Sequence, residues 1–222
     1  MFAGHIGAAL AIARSEPRVN IAVFAFAAML LDAVLWVFIL AGWESASLPV
    51  DLAAYRMPQF VFPYSHSLIG SIVWSMLAGT VALFWFSRHR ISATRAAALL
   101  AAAVFSHWLL DALVHLPELP IAGDASTKVG LGLWLNMPVA LVVEALILLI
   151  GLSLYLSGAP LACGRKIALA VLSLLILGMT VIGMTVAPPA PSVLAMAVSS
   201  LITIAVVSAL FYWLSGSSNK NG

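Results

Sequence analysis

Six long runs in this chain carry almost no charge, and that pattern leaves few solvents in which it can fold. The runs are Val19–Trp43, His66–Phe86, Arg95–His115, Leu131–Leu156, Lys166–Val186 and Ser192–Leu214. A bilayer core of about 30 Å is crossed by about 20 apolar residues at 1.5 Å of rise each. Only 8% of the 222 residues are charged, against about 25% in ordinary soluble domains. Too few charges remain to cover a water-facing surface. The expected fold is therefore all-α: a polytopic helical membrane protein with six transmembrane helices and a short N-terminal half-helix, forming a single integral membrane domain over residues 1–222. The bilayer is its first partner. The few basic residues are scattered between the runs, which argues against nucleic-acid binding.

The connections are punctuated by Arg88-His89-Arg90, Leu116-Pro117-Glu118-Leu119-Pro120 and Pro188-Pro189-Ala190-Pro191. Proline ends helices because it lacks an N–H and clashes with the preceding turn. The single Cys163 cannot form an internal disulfide. Alternate connections hold the basic residues: Arg14 and Arg18, then Arg88, Arg90 and Arg95, then Arg165 and Lys166, then Lys220. The other loops hold Glu44, Asp51, Arg56, Glu118, Asp124 and Lys128, with no positive excess. The positive-inside rule then puts both termini in the cytoplasm. No basic residue precedes the apolar stretch Phe2–Ala13, so the N-terminus is expected to be retained rather than cleaved as a signal peptide. That stretch reaches only about 18 Å as a helix. It either lies in the interface or enters as a half-helix, and the second reading requires a polar cavity around its first residues.

Ionisable side chains inside spans cost about 2.5–3.5 kcal/mol each near the bilayer centre. This chain carries Asp32 in the first run, His107 and Asp111 in the third and Glu144 in the fourth, with His66 and His115 at run ends and His5 near the start. At 1.5 Å per residue, Asp32 stands about 21 Å above Arg18, and His107 and Asp111 about 18 and 24 Å above Arg95. His5 falls about 14 Å above Arg14. The candidates converge on the outer half of the bilayer. His107, Asp111 and His115 follow at i, i+4 and i+8, which places them on one helical face. His107 and Asp111 are close enough to share one ion, whereas His115 needs a second ion or only caps the site. Imidazole with carboxylate suits a divalent transition metal, zinc first. A plain hydrogen-bonded His107–Asp111 pair is the competing reading. Glu144 fits a partner that orients a histidine, a proton carrier, or a packing residue. The last two spans hold no ionisable residue beyond Lys166 and read as scaffold or oligomer surface.

The order Gly4-His5, Leu31-Asp32, Ser65-His66-Ser67 and Ser106-His107-Trp108-Leu109-Leu110-Asp111 resembles the YdjM-like inner-membrane metal-dependent hydrolases. Gly123-Asp124 through Gly130-Leu131-Gly132-Leu133-Trp134 is similar to small membrane proteins and permeases of that group. The ligand order is also similar, more distantly, to zinc-dependent phospholipase C and the P1-type nucleases. The resemblance implies a bacterial inner-membrane protein with Asp32, His66, His107 and Asp111 on one metal, His5 and Asp111 at another, and His115 serving a further ion. The chain departs from the family where Pro63-Tyr64-Ser65-His66-Ser67 replaces a fuller His-Arg-Gly-x-Thr-His-Ser, and where Asp32-Ala33-Val34-Leu35 replaces Asp-x-Asp-His.

The expected function is hydrolysis, with a phosphoester in a lipid or lipid-linked substrate as the target. Asp32, His66, His107 and Asp111 would hold the metal, and His5 and His115 would serve catalysis. Arg56 and Lys128 could attract a phosphate or be ordinary loop charges. The rival is a transporter or permease using the same cluster for a cation or for protons. A cavity closed below His107 favours the hydrolase and a continuous path to the cytoplasm favours transport. A scaffold that keeps a degenerate metal site is the third reading.

Overall fold

Four helices begin where a side chain takes up one of the first unpaired amides. Asn20 accepts from Ala22 N at 2.9 Å, Ser67 from Gly70 N at 3.0 Å, Asn136 from Val139 N at 3.4 Å and Ser192 from Ala195 N at 3.1 Å. Such caps stabilise a helix by about 1 kcal/mol each. The computed structural model describes residues 1–49, 57–88 and 91–216; Asp51, Arg56, His89, Arg90 and Lys220 lie outside them. In chain order the elements are α1 Phe2–Ala13, α2 Ile21–Ala28, α3 Leu30–Leu40, β1 Ser45–Ser47, β2 Gln59–Val61, α4 Leu68–Phe86, α5 Ala93–Val114, β3 Leu119–Pro120, β4 Lys128–Val129, α6 Met137–Gly158, α7 Cys163–Thr185 and α8 Val193–Ser215.

Helices α4 to α8 are each long and apolar enough to cross a bilayer, and α2 with α3 qualifies only as a pair. The protein is an all-α polytopic membrane protein. Its outward faces agree: α7 exposes Val171, Leu174, Leu175, Met179 and Ile182, and α8 exposes Leu210 and Trp213, a surface suited to hydrocarbon. On α7 the buried hydroxyls bond within their own helix, Ser173 Oγ to Leu169 O at 2.8 Å and Thr180 Oγ1 to Ile176 O at 3.0 Å. Those two hydroxyls are thus not left as open donors in lipid.

Helices α4, α5, α7 and α8 end within three residues of the limits expected from the sequence. Two runs differ. The fourth expected span starts at Met137 rather than Leu131 because Gly132 turns at φ 70° into a short 3₁₀ stretch, Leu133–Leu135. Pro138 then sits in the first turn of α6, where its missing N–H costs nothing. The first expected span is broken at Met29 and bent by 50°, although no glycine or proline lies between Ile21 and Leu40. The cause is tertiary. His107 Nδ1 lies 2.6 Å from Ala28 O and captures a carbonyl that a continuous helix would use itself, and a side chain inserted into the ladder kinks a helix.

Helix α1 is buried rather than interfacial, with Ala3, Gly4, His5, Ile6, Gly7, Ala9, Leu10 and Ala13 all enclosed. Its approach to α6 is possible because both partners lack a Cβ at the crossing. One added to Gly7 would stand 2.6 Å from Ile147 O, and one on Gly151 would collide with Gly7 O.

Among the described residues, Arg18, Arg95 and Arg165 gather at one end of the bundle. Arg95 Nη2 donates to Ser15 O at 2.6 Å, Arg18 pairs with Glu16 at 2.8 Å, and Arg165 reaches Ser215 O at 3.4 Å. At the other end two antiparallel pairs, β1–β2 and β3–β4, tie the loops down, with Ser45 opposite Val61 and Leu119 opposite Val129. These strands are additions that the sequence pattern did not announce. They seat Phe62 and Leu119 against Leu35 of α3.

Candidate metal centre

The bend at Met29 points two groups at the same place, the Ala28 carbonyl just before it and Asp32 one turn after it. His107 on α5 lies between them. Its Nδ1 meets Ala28 O at 2.6 Å. A carbonyl only accepts, so Nδ1 carries the proton and a neutral ring turns its Nε2 lone pair inward. Nε2 stands 3.1 Å from Asp111 Oδ2 and 3.5 Å from Asp32 Oδ1.

His66 comes from the loop that leads into α4. Trp108 Nε1 on α5 donates to its backbone carbonyl at 3.0 Å. Its Nδ1 lies 2.8 Å from Ser65 Oγ, and that hydroxyl donates onward to Glu44 Oε2 at 2.6 Å. Ser65 has one proton and gives it to the carboxylate, so His66 Nδ1 must be the donor to Ser65. Its Nε2 also faces inward, 3.5 Å from Asp111 Oδ2, 3.6 Å from Asp32 Oδ1 and 3.2 Å from His107 Nε2.

Two nitrogen lone pairs and two carboxylates therefore converge on one small volume, an arrangement that a cation satisfies and neutral hydrogen bonding does not. Two overlapping groups offer three ligand atoms each within 4.8 Å: His66, His107 and Asp111, and His5, Asp32 and His107. The first has the better ring geometry. His5 and His107 stack with centroids 3.7 Å apart and planes 7° apart, and an ion lying in the plane of one ring is displaced from the plane of the other. His107 also has only one nitrogen to offer, since Nδ1 is held by Ala28. The buried His/Asp group can thus hold an ion through His107 with His66 and Asp111, and Asp32 Oδ1 lies 3.5 Å from the same nitrogen.

His5 reaches the far oxygen of Asp111, Nε2 to Oδ1 at 3.1 Å, and the Met1 amino group lies 3.4 Å from the same atom. Among the described residues neither ring nitrogen of His5 has a hydrogen-bond partner, so Nε2 meets Asp111 only as an ion-pair contact. His115 stands at the margin, with Nε2 3.8 Å from Asp111 Oδ2 and Nδ1 2.6 Å from Glu118 Oε1. Its ring packs on Trp134 at 4.3 Å. The six candidate site residues thus lie together: His5, Asp32, His66 and Asp111 each approach His107 or one another, and His115 stands at the edge.

A cavity of about 290 Å³ opens beside the cluster. Asp32, His66, Asp111 and His115 face it, Phe2, Trp36, Phe60, Phe62 and Trp134 give it apolar walls, and Ser199, Ser200 and Thr203 of α8 close it. The last span is thus more than scaffold, because it contributes the hydroxyl wall; its sequence signal was the Ser199-Ser200 pair followed by Thr203 in an otherwise apolar helix. The polar cavity demanded by a half-helix is present, with Met1 and Phe2 in its lining. Glu144 is fully buried and accepts from Gly4 N at 3.3 Å through Oε2, a hydrogen bond to the start of α1 rather than to a histidine. Lys128 pairs with Asp124 at 2.8 Å on an exposed loop, away from the cavity.

Sequence reasoning counted Glu44 and Glu118 only as loop charges. No spacing rule connects Glu44 to His66, and Glu118 follows His115 at i+3 but past the end of α5 and across Pro117; the loops that bring them in are fixed by the short strands. Comparison of the chain with family models, with curated proteins and with solved structures finds no match.

Proposed function

We propose that the chain is a membrane-embedded, metal-dependent hydrolase of the YdjM-like kind, cleaving a phosphoester in a lipid or lipid-linked substrate from the outer half of a bacterial inner membrane, with both termini cytoplasmic. The observation that carries this reading is the pair of inward Nε2 lone pairs on His66 and His107 beside Asp32 and Asp111. Imidazole and carboxylate donors suit a divalent transition metal, zinc first. When bound, such an ion supplies Lewis acidity and brings the pKa of a ligated water toward 7.

The chain's own residues divide the remaining work. Asp111 turns Oδ2 to His66 and His107 while the Met1 amino group donates to Oδ1 and His5 lies 3.1 Å from the same atom. His115 gives its Nδ1 proton to Glu118, which leaves Nε2 on the cavity side to accept a proton from water. The apolar walls take the substrate's chain. On α8, Ser199 and Thr203 donate their protons to Met196 O and Ser199 O, at 3.0 and 2.8 Å. They therefore present lone pairs suited to the hydroxyl or ammonium donors of a lipid head group. Below His107 the buried lining is apolar, with Leu100, Ala103 and Val104 of α5, Ile6 and Leu10 of α1 and Phe24 of α2. That closure supports hydrolysis over transport.

Metal content of the purified protein, read by elemental analysis, tests the proposal. Stoichiometric transition metal in the wild type and its loss from His107→Ala and Asp111→Ala are expected. His115→Gln should keep its metal while phospholipid turnover falls by about 10²–10⁴-fold, the usual range for a lost general base. A wild-type protein that holds no metal after re-addition overturns the reading and brings proton-coupled transport forward.

A further inference from the structure

Glu44 lies just past α3, where Gly42 at φ 76° turns the chain and Trp43 N and Glu44 N both bond back to Phe38 O, at 2.9 and 3.3 Å. The turn sends the carboxylate inward, and the residue is only 5% exposed. Oε1 accepts from Tyr64 N and Ser65 N, each at 2.8 Å, and Oε2 accepts from Ser65 Oγ at 2.6 Å. Ser65 Oγ in turn meets His66 Nδ1 at 2.8 Å. The result is one directed chain of donors, from imidazole to hydroxyl to carboxylate, ending twelve residues after Asp32 on the same arm of the fold.

We propose that Glu44 is a positioning residue for the metal centre: acting through Ser65, it fixes the tautomer of His66 and so decides which nitrogen the ring offers. This rests on the metal-dependent reading above. The polarity of the chain is what matters. A carboxylate only accepts, so the Ser65 proton must point to it and Ser65 must accept from His66 Nδ1. A hydrogen bond to the second ring nitrogen also holds a ligating histidine in plane and raises its basicity, and losing such a partner typically weakens metal affinity about 10–100-fold.

Glu44→Gln reverses that polarity while nearly conserving shape. The amide oxygen still accepts from Tyr64 N and Ser65 N, but the amide NH₂ now faces Ser65 Oγ and donates to it. Ser65 must then give its proton to His66 Nδ1, which moves the ring proton to Nε2 and removes the inward lone pair. A residue that merely pinned the loop would not do this.

The test uses ¹⁵N-histidine-labelled full-length protein in detergent, metal-free and then titrated with cobalt(II). In the metal-free wild type the His66 signals, assigned by their loss in His66→Ala, should report a proton on Nδ1; in Glu44→Gln they should report it on Nε2. Cobalt(II) affinity should fall about 10–100-fold in Glu44→Gln and in Ser65→Ala, the latter keeping both backbone bonds to Glu44. Unchanged tautomer and unchanged affinity in both variants overturn the role of Glu44 and leave the metal centre standing. A wild type that takes up no cobalt(II) counts against the metal centre alone, because the tautomer measurement in metal-free protein still decides Glu44. If Glu44→Gln does not fold, Ser65→Ala carries the affinity test.

Discussion

His66 and His107 come from different parts of the chain, yet their Nε2 atoms stand 3.2 Å apart while each ring gives its Nδ1 proton to an oxygen elsewhere. Removing the two rings should have unequal structural consequences. His66→Ala takes away a lone pair and leaves Ser65 bonded to Glu44. His107→Ala also strands the carbonyl of Ala28, a residue with no exposed surface, and an unmet buried acceptor costs about 1–3 kcal/mol. Both variants are expected to lose metal, but in metal-free protein only His107→Ala should unfold at a clearly lower temperature. Equal midpoints for the two metal-free variants would contradict the role given to Ala28.

Gly7 offers a contrast with Gly178. A Cβ at Gly7 would press on Ile147 O and Leu148 Cα at 2.6 Å, and α6 backbone cannot step aside without moving α1 and, with it, His5. Gly7→Ala should destabilise by about 1–3 kcal/mol, as overpacking usually does, and should weaken metal binding. Gly178 lies within α7 with nothing within 4 Å of its added Cβ, so Gly178→Ala should be neutral or raise stability by up to about 1 kcal/mol through helix propensity. Thermal unfolding in detergent separates the two, and a tolerated Gly7→Ala would refute the close crossing.

Glu16 lies in the turn between α1 and α2, outside the membrane helices. Hydrogen bonds from Arg18 at 2.8 and 3.1 Å, and then the charges of Arg18 and Arg95, hold its carboxyl below the usual 4.5 against the opposing effect of desolvation. A carboxyl that is more acidic in the folded state adds stability above its unfolded pKa and loses that stability as pH falls through the folded value. Glu16→Gln should therefore lower stability modestly at pH 7, by about 0.2–1 kcal/mol, because the arginine partners of this buried carboxylate are themselves more than half exposed. The gap to wild type should close as the pH drops below about 4.5. A gap that persists unchanged under acid would show that the pair does not stabilise this turn. The comparison is read from unfolding midpoints across a pH series.

The amino-acid pattern made the membrane helices legible because lipid imposes a length and a composition that few other environments share. It also exposed the cluster, since an aspartate or histidine in a 20-residue apolar run has no cheap explanation. The i, i+4 spacing of His107 and Asp111 placed both on one face of α5 before any coordinates. The break at Met29 was hidden because its cause is a histidine 78 positions away rather than a local proline or glycine. Ser65 was visible beside His66, but Glu44 and Glu118 read only as loop charges, because the loops that carry them are set by two small strand pairs, and a strand of two or three residues leaves almost no periodic trace. The hydroxyls of α8 were visible as residues but not as a wall, because facing direction depends on how α8 leans on α2 and α3.

Because Ala28 and Asp32 flank the Met29 bend, the shape of that helix and the occupancy of the site are two faces of one equilibrium. Straightening the segment would return the Ala28 carbonyl to its own helix, let the His107 ring rotate, and swing Asp32 away from both histidines. An ion that ties His107 to Asp32 works like a pin through a folded joint, and its binding free energy is shared with the angle it maintains. Whatever flexes that arm of the protein, a change in bilayer thickness or pressure on the Glu44 turn, acts on the affinity of the centre without touching a ligand.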